Sequence, residues 1–353
     1  MRPCRLNLIP LLVCLFAGGV FARCVAGETY TNPIVADGQD PWVVARGGWF
    51  YYCYSTGRDI RVRRAGALER IGEGEERILW RSPVDGPSSQ HVWAPELHRI
   101  GGRWYVYFSA DNGENRNHRM FVLRSEGDDP LGPYVFVGKV GGITDRWAID
   151  GTVYQASGGE LYFIWSGWPP PDTPDTPDDA GGDREQDLYI ARMSDPVTVV
   201  GAGVLMSWPT LGWERVSDRG VNEGPEVLRH GGKVHVIYSA GGSWTDDYCL
   251  GRLTLVGGDP LAPGAWVKYP KPVFAKTNEV FGPGHACFVE LADAGGNGVG
   301  RDWIVYHAAK SKGSGWDRDI RLQPFKWDAE GNPDFGRPTA AGVPITVPGG
   351  LGR

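Results

Sequence analysis

Five times along this chain, two short apolar runs flank a turn containing Gly-Gly, and this recurrence restricts the fold more than any other feature. The copies are "DPWVVARGGWFYYCYST" from Asp40, "APELHRIGGRWYVYFSA" from Ala94, "DGTVYQASGGELYFIWSG" from Asp150, "EGPEVLRHGGKVHVIYSA" from Glu223 and, with a longer loop, "GHACFVELADAGGNGVGRDWIVYHA" from Gly284. Each copy has a leading residue, a strand, a turn whose glycines admit left-handed backbone, and an aromatic-rich return strand. The leaders stand 54, 56, 73 and 61 residues apart. Self-similarity of that period in a chain of strands signals radial repetition, because a four-stranded blade buries both faces only when it packs between neighbours. Five copies therefore predict an all-β, five-bladed β-propeller forming a single domain. The 52 Gly and 27 Pro, and the scarcity of segments that keep a helical period, agree.

In such a ring the repeated hairpin is the inner pair of strands, and the leaders surround the central funnel. Asp40, Asp150 and Glu223 then converge from three blades, with His285 from a fourth. Singly, each has a bland reading: Asp before Pro and Asp-Gly are common turn formers, and a loop glutamate is commonly solvated. Three acids at one repeat position are harder to explain that way. Glu96 is a rival for the blade II acid, but it stands only five residues before its Gly-Gly and is read as structural. The 15 Trp are more than an average chain of this length carries; many must be core, wedged between blades, but the apolar faces of sugar rings also pack on aromatic faces. Trp42, Trp93 and Trp147 beside leaders, and Trp168, Trp244 and Trp316 in loops, are the candidate sugar contacts.

The first 26 residues read as a secretory signal peptide, with Arg2 and Arg5, an apolar run from Leu6 to about Phe21, and the small-residue ending Cys24-Val25-Ala26. A lipoprotein anchor at Cys24 is the alternative, for which Arg23 is a poor neighbour. Residues 27–353 would be the propeller domain, secreted, soluble and monomeric, with no membrane span. Cys53, Cys249 and Cys287 remain after cleavage, too few for a disulfide-built scaffold, and they read as buried apolar residues. The net charge of −6 becomes more negative without the leader's arginines, which argues against nucleic acid as a partner. The Pro- and Asp-rich insert "PPPDTPDTPDDAGGD", Pro169 to Asp183, is expected to be a mobile loop. "LADAGGNGVGRD" is expected to be an outer turn.

The ordered set "DPWV", "WAPEL", "AIDGTVY", "EGPEVL" and "GPGHACF" resembles glycoside hydrolase family 43, five-bladed propeller enzymes acting on arabinose- and xylose-containing polysaccharides. The segments "SADNGENRNHRMFVLRS", "DRWAIDGTVY", "YIARMSDP" and "YCLGRLTL" most resemble its branch of exo-acting α-L-arabinofuranosidases. The resemblance implies Asp40 as general base, Glu223 as general acid and Asp150 as the acid that tunes and orients it. It also implies Arg321 as an arginine reaching the sugar, and of the aromatic candidates Trp93, in the family's "WAP" signature, is the foremost, with Trp42 and Trp168 next in line on their positions alone. His285 matches a position near the propeller axis where a histidine holds a central ion or water network. A hydrogen-bonded core histidine fits equally, and one His gives no ligand spacing, so calcium or no ion both suit. No cofactor is required. His307 is read as structural.

Inverting hydrolysis needs one ionised and one protonated carboxyl with room for water between them. A third carboxylate near Glu223 would hold Glu223 protonated. The function so implied is secreted, inverting release of terminal α-L-arabinofuranose from arabinan or arabinose-decorated plant polysaccharide. A β-xylosidase or endo-arabinanase of the same family is the nearer alternative, and a non-catalytic glycan-binding propeller the more distant one.

Overall fold

Twenty of the strands form five four-stranded antiparallel sheets arranged in a ring, each sheet built from consecutive strands. The structure is a computed structural model, and it describes residues 28–143, 145–170, 184–291 and 302–347. The leader, most of the Pro169–Asp183 insert, the "LADAGGNGVGRD" loop between Leu291 and Asp302, and the last six residues lie outside the described residues. Blade I comprises Trp42–Arg46, Trp49–Ser55, Asp59–Ala65 and Glu75–Arg81; blade II comprises Gln90–Ile100, Arg103–Asp111, Arg119–Ser125 and Tyr134–Lys139. Blade III comprises Ala148–Gln155, Leu161–Gly167, Asp187–Asp195 and Thr198–Ser207; blade IV comprises Asn222–His230, Lys233–Ala240, Cys249–Leu255 and Trp266–Lys268. Blade V comprises Phe281–Glu290, Asp302–Ala309, Arg318–Trp327 and Pro333–Asp334. The five-bladed expectation is met.

Apart from the first strand of blade I, the first two strands of each blade are buried over most of their length, which is why they carry continuous apolar runs such as "WFYYCY" and "LYFIW". Their side chains fill the wedges between blades. Phe163 and Trp165 of blade III pack with Tyr107 and Val122 of blade II, and Val236 and Tyr238 of blade IV pack with Ile164 and Ile190 of blade III. The ring closes where Val305 and Leu322 of blade V share a core with Val43 and Val62 of blade I. Thr29–Thr31 pairs with Pro344–Thr346 across the two ends of the described chain. Cys53, Cys249 and Cys287 are free and buried, and Cys287 Sγ accepts the Val43 N–H at 3.2 Å across that closure.

One backbone device recurs in all five innermost strands. Asp40, Ala94, Asp150, Gly224 and His285, one per blade, have φ of 48°, 44°, 53°, 51° and 43°. In blades II to V the ladder slips register around this step. Left-handed backbone strains a side-chain-bearing residue by on the order of 1 kcal/mol or more, so four such residues are held there by the surrounding sheets.

The geometric repeat therefore differs by one residue from the leaders inferred above for two blades. Gly224 and His285, rather than Glu223 and Gly284, are the counterparts of Asp40. Two residues further on, Trp42, Glu96, Thr152, Glu226 and Cys287 occupy equivalent places, so Glu96 is the counterpart of Thr152 and not of Asp150. It is buried, and its Oε2 lies 2.8 Å from His98 Nε2, in keeping with a structural role.

Candidate active site

Three of the five steps, those of Asp40, Asp150 and His285, line one cavity of about 510 Å³, while Ala94 and Gly224 line a small pocket beside it. Asp40, Asp150, Glu223 and His285 all line the cavity, so the predicted acids meet in one space although 183 residues separate Asp40 from Glu223. Trp93, Trp147, Trp244 and Trp316 also line it, with Arg318, Tyr248 and Gln186.

Asp40 is gripped from two sides of blade V. Its backbone N–H donates to His307 Nδ1 at 3.1 Å, and its Oδ1 lies 3.2 Å from His285 Nδ1 and 3.8 Å from the Arg318 guanidinium. The same Nδ1 lies 3.3 Å from Asp40 Oδ1, and burial pushes the His307 pKa down to about 3. Burial would raise the Asp40 carboxyl, but His285, His307 and Arg318 outweigh it and hold the group well below the ordinary carboxylate range. His307, expected to be merely structural, thus orients the Asp40 backbone.

Glu223 has the opposite bias. Burial pushes it up to about 7 and the Asp40 charge adds to that, while the Tyr248 hydroxyl, donating to Oε1 at 2.7 Å, and Arg318 and Arg219 pull the other way. Asp150 is also raised, by burial first and then by Glu223 and Asp40, against the Gly224 N–H that donates to its Oδ2 at 2.9 Å. Burial therefore does most of what was ascribed to a third carboxylate. Asp40 is the neighbouring charge that raises Glu223, and Asp150 is itself pushed toward its neutral form.

Three expected contacts lie elsewhere. Arg321 is buried away from the cavity, with its Nε donating to Asp319 Oδ1 at 2.7 Å. Arg318, three residues earlier on the same strand and hence on its other face, takes the place expected for it. Trp42 is two residues beyond the step and packs in the blade I core, its indole N–H donating to Leu97 O at 2.8 Å. Trp168 stacks behind Trp147, with centroids 4.8 Å apart and planes 9° apart, so it backs the cavity wall without lining it.

His285 presents Nδ1 to Asp40, and among the described residues no group of three or more His, Cys, Asp or Glu is arranged to hold an ion. The side chains there do not supply the six to eight oxygen ligands that calcium takes, and no step below is routed through an ion.

Sequence reasoning missed His91, Tyr248, Arg318 and Arg219. Tyr248 and Arg219 belong to segments outside the repeated hairpin, where no periodicity points to the axis. His91 lies in the blade II strand just before the step, and only its later neighbour Trp93 carried a signal.

The model for glycosyl hydrolases family 43 matches residues 30–333. An extracellular exo-α-(1→5)-L-arabinofuranosidase of Streptomyces avermitilis is 36% identical over 89% of this chain, which spans 65% of that relative's length. A protein of the same description from Streptomyces chartreusis is 36% identical over 80% of this chain and 83% of its own. The crystal structure of an α-L-arabinofuranosidase from Lactobacillus brevis superposes with a TM-score of 0.78 at 30% identity, covering 89% of this chain and 98% of that one. With a five-bladed ring, a shared acidic cavity and a family match over most of its length, this chain belongs to the glycosyl hydrolases family 43.

Proposed function

We propose that the protein is a secreted, inverting, exo-acting α-L-arabinofuranosidase that removes terminal arabinofuranose from arabinan or arabinose-decorated polysaccharide. The observation that carries this reading is the opposite bias of two acids in one cavity, Asp40 toward its ionised form and Glu223 toward its protonated form.

In the proposed step Asp40 takes a proton from water as the water oxygen bonds to the anomeric carbon. The glycosidic C–O bond breaks on the opposite face, and Glu223 gives its proton to the leaving oxygen. The Tyr248 hydroxyl occupies Oε1 of Glu223, which leaves Oε2 to carry that proton. Asp150, tied to the backbone next to Glu223, orients the acid. Trp93, Trp147, Trp244 and Trp316 offer aromatic faces to the sugars. Arabinose as the sugar, and exo action, rest on the printed names of the relatives. Secretion rests on the leader-like residues 1–26 and on the word extracellular in two of those names. No helix among the described residues is long and apolar enough to cross a membrane. The reading requires no cofactor and a single subunit.

The test is incubation with linear arabinan, xylan and aryl pentosides, with NMR of the first-formed product. Arabinose appearing as the β anomer, without oligosaccharides, is the expected result. Xylose or oligosaccharides would move the assignment within the family. Glycan binding without new reducing ends would make the chain a lectin, and the α anomer would overturn inversion.

A further inference from the structure

Blade II contributes to the cavity a histidine that the proposed step does not use. His91 lines it with about half of its side chain exposed, and one ring nitrogen is already committed, Nδ1 lying 2.9 Å from Asp111 Oδ2. Asp111 is wholly buried, and its Oδ1 also accepts the Gly113 N–H at 2.8 Å. A carboxylate only accepts, so His91 Nδ1 carries the hydrogen, and the Nε2 lone pair on the other side of the ring is what the residue offers.

The backbone of His91 adds an independent observation. Among the described residues five non-glycine residues have positive φ; four sit at the axial steps, and His91, at φ 45°, does not. The ring of blades does not impose this conformation, which is held by local partners instead. His118, fully buried, places Nδ1 3.1 Å from Asp111 Oδ2 and Nε2 3.2 Å from the carbonyl oxygen of His91. The His118 ring also stacks under Trp93 with centroids 4.0 Å apart. Asp111 and His118 thus lock a strained backbone, an imidazole tautomer and an aromatic wall together, the arrangement that a fixed contact to a ligand requires.

In a ring of five, blade II stands across the axis from blades IV and V, which carry Glu223 and Trp316. A leaving group must lie next to the acid that protonates it, so the wall opposite faces the sugar that is released. We propose that His91 is a substrate-contact residue for that terminal furanose, its Nε2 accepting a hydrogen bond from one ring hydroxyl, and that Asp111 and His118 are its positioning residues. The inference rests on the glycosidase reading above.

The experiment compares wild type, His91→Phe, His91→Ala and Asp111→Asn on an aryl α-L-arabinofuranoside, on arabinotriose, and on the three monodeoxy aryl arabinofuranosides. The expected loss in kcat/KM for His91→Phe or His91→Ala is about 3- to 10-fold, the value of one neutral hydrogen bond. It is equal on the aryl glycoside and on the trisaccharide, because the contact is to the released sugar. One deoxy substrate should be penalised by wild type and not further penalised by the His91 variants, with Asp111→Asn intermediate. Either His91 variant that folds decides the matter. If both His91 variants retain every wild-type deoxy penalty, His91 touches no hydroxyl and the inference falls while the hydrolase reading stands. If wild type cleaves no glycoside at all, the hydrolase reading falls first, and the inference with it.

Discussion

The Gly224 N–H donates to Asp150 Oδ2 at 2.9 Å, joining the step of blade IV to the step of blade III. Because Gly224 follows Glu223 directly, this bond couples the place of the acid to a neighbouring carboxyl through backbone, with no flexible side chain between them. Gly224 has little room for replacement: at φ 51°, an added Cβ would lie 3.1 Å from His285 Nδ1 and 3.2 Å from Ser239 Oγ. Asp150→Asn keeps an acceptor for this N–H and removes a buried charge. It is expected to melt at or above the wild-type temperature while kcat falls at least tenfold. Asp150→Ala is expected to lose both, and calorimetry with steady-state kinetics separates the two variants.

Glu223→Gln should retain a larger share of its activity on an activated aryl arabinofuranoside than on arabinotriose, because a good leaving group needs no proton. The loss on arabinotriose is expected to be about 100-fold or more. Equal losses on both substrates would remove the general-acid role.

The two acids set the pH dependence in opposite directions. Glu223 acts protonated, so kcat/KM should fall as pH rises through about 7. Asp40 acts ionised and is held well below the usual carboxylate range, so the acid limb should lie below that of a free aspartate. A profile with stability controls at each pH checks both limbs. An alkaline limb that persists unshifted in Glu223→Gln on the aryl substrate would assign it to another group.

The same bias affects stability. A carboxyl whose folded pKa is raised contributes stability that is present in full below its unfolded pKa and is lost as pH rises through the folded value. For Glu223 that window runs from about 4.5 to about 7. Glu223→Gln should therefore melt higher than wild type at pH 8, by roughly 2–5 °C, with the difference shrinking toward pH 5. Differential scanning calorimetry at the two pH values measures this.

Arg318 and Arg321 separate the cavity from its support. Arg318→Met removes the cation 3.8 Å from Asp40, so the acid limb of kcat/KM should move to higher pH. Arg321→Met strands Asp319 and should lower the melting temperature while leaving that limb in place. A shift in both variants would mean that the limb reports unfolding.

Much of this was legible in the chain because the Gly-Gly hairpin recurs where the backbone must turn. In blades I, II and IV both glycines are left-handed, at φ of 58° and 80°, 56° and 81°, and 56° and 80°, which few other residues tolerate. Asp40, Asp150, Glu223, Trp93 and His285 were legible because they stand at or one residue before the step. The one-residue offset of Glu223 was not, because a register slip leaves no mark on hydrophobic alternation near the axis. The choice between Arg318 and Arg321 depends on strand parity just after a loop, which the alternating charges of "DRDIR" obscure. Trp42, beside a leader, and Trp168, in a loop, went astray because an indole is as useful behind a wall as on it.

The axial step also bears on how such a chain acquires new specificities. Five positions share one backbone shape, yet only Asp40, Asp150 and His285 carry an ionisable group into the cavity; Ala94 and Gly224 line a small pocket beside it. The ring of sheets thus holds a side chain at four of these positions by backbone shape, while Gly224, crowded by His285 and Ser239, leaves little room for one. Ala94, already seated in the strained conformation at φ 44°, shows that this backbone shape accepts a side chain with no ionisable group, so the chemistry at a step can change while the backbone stays.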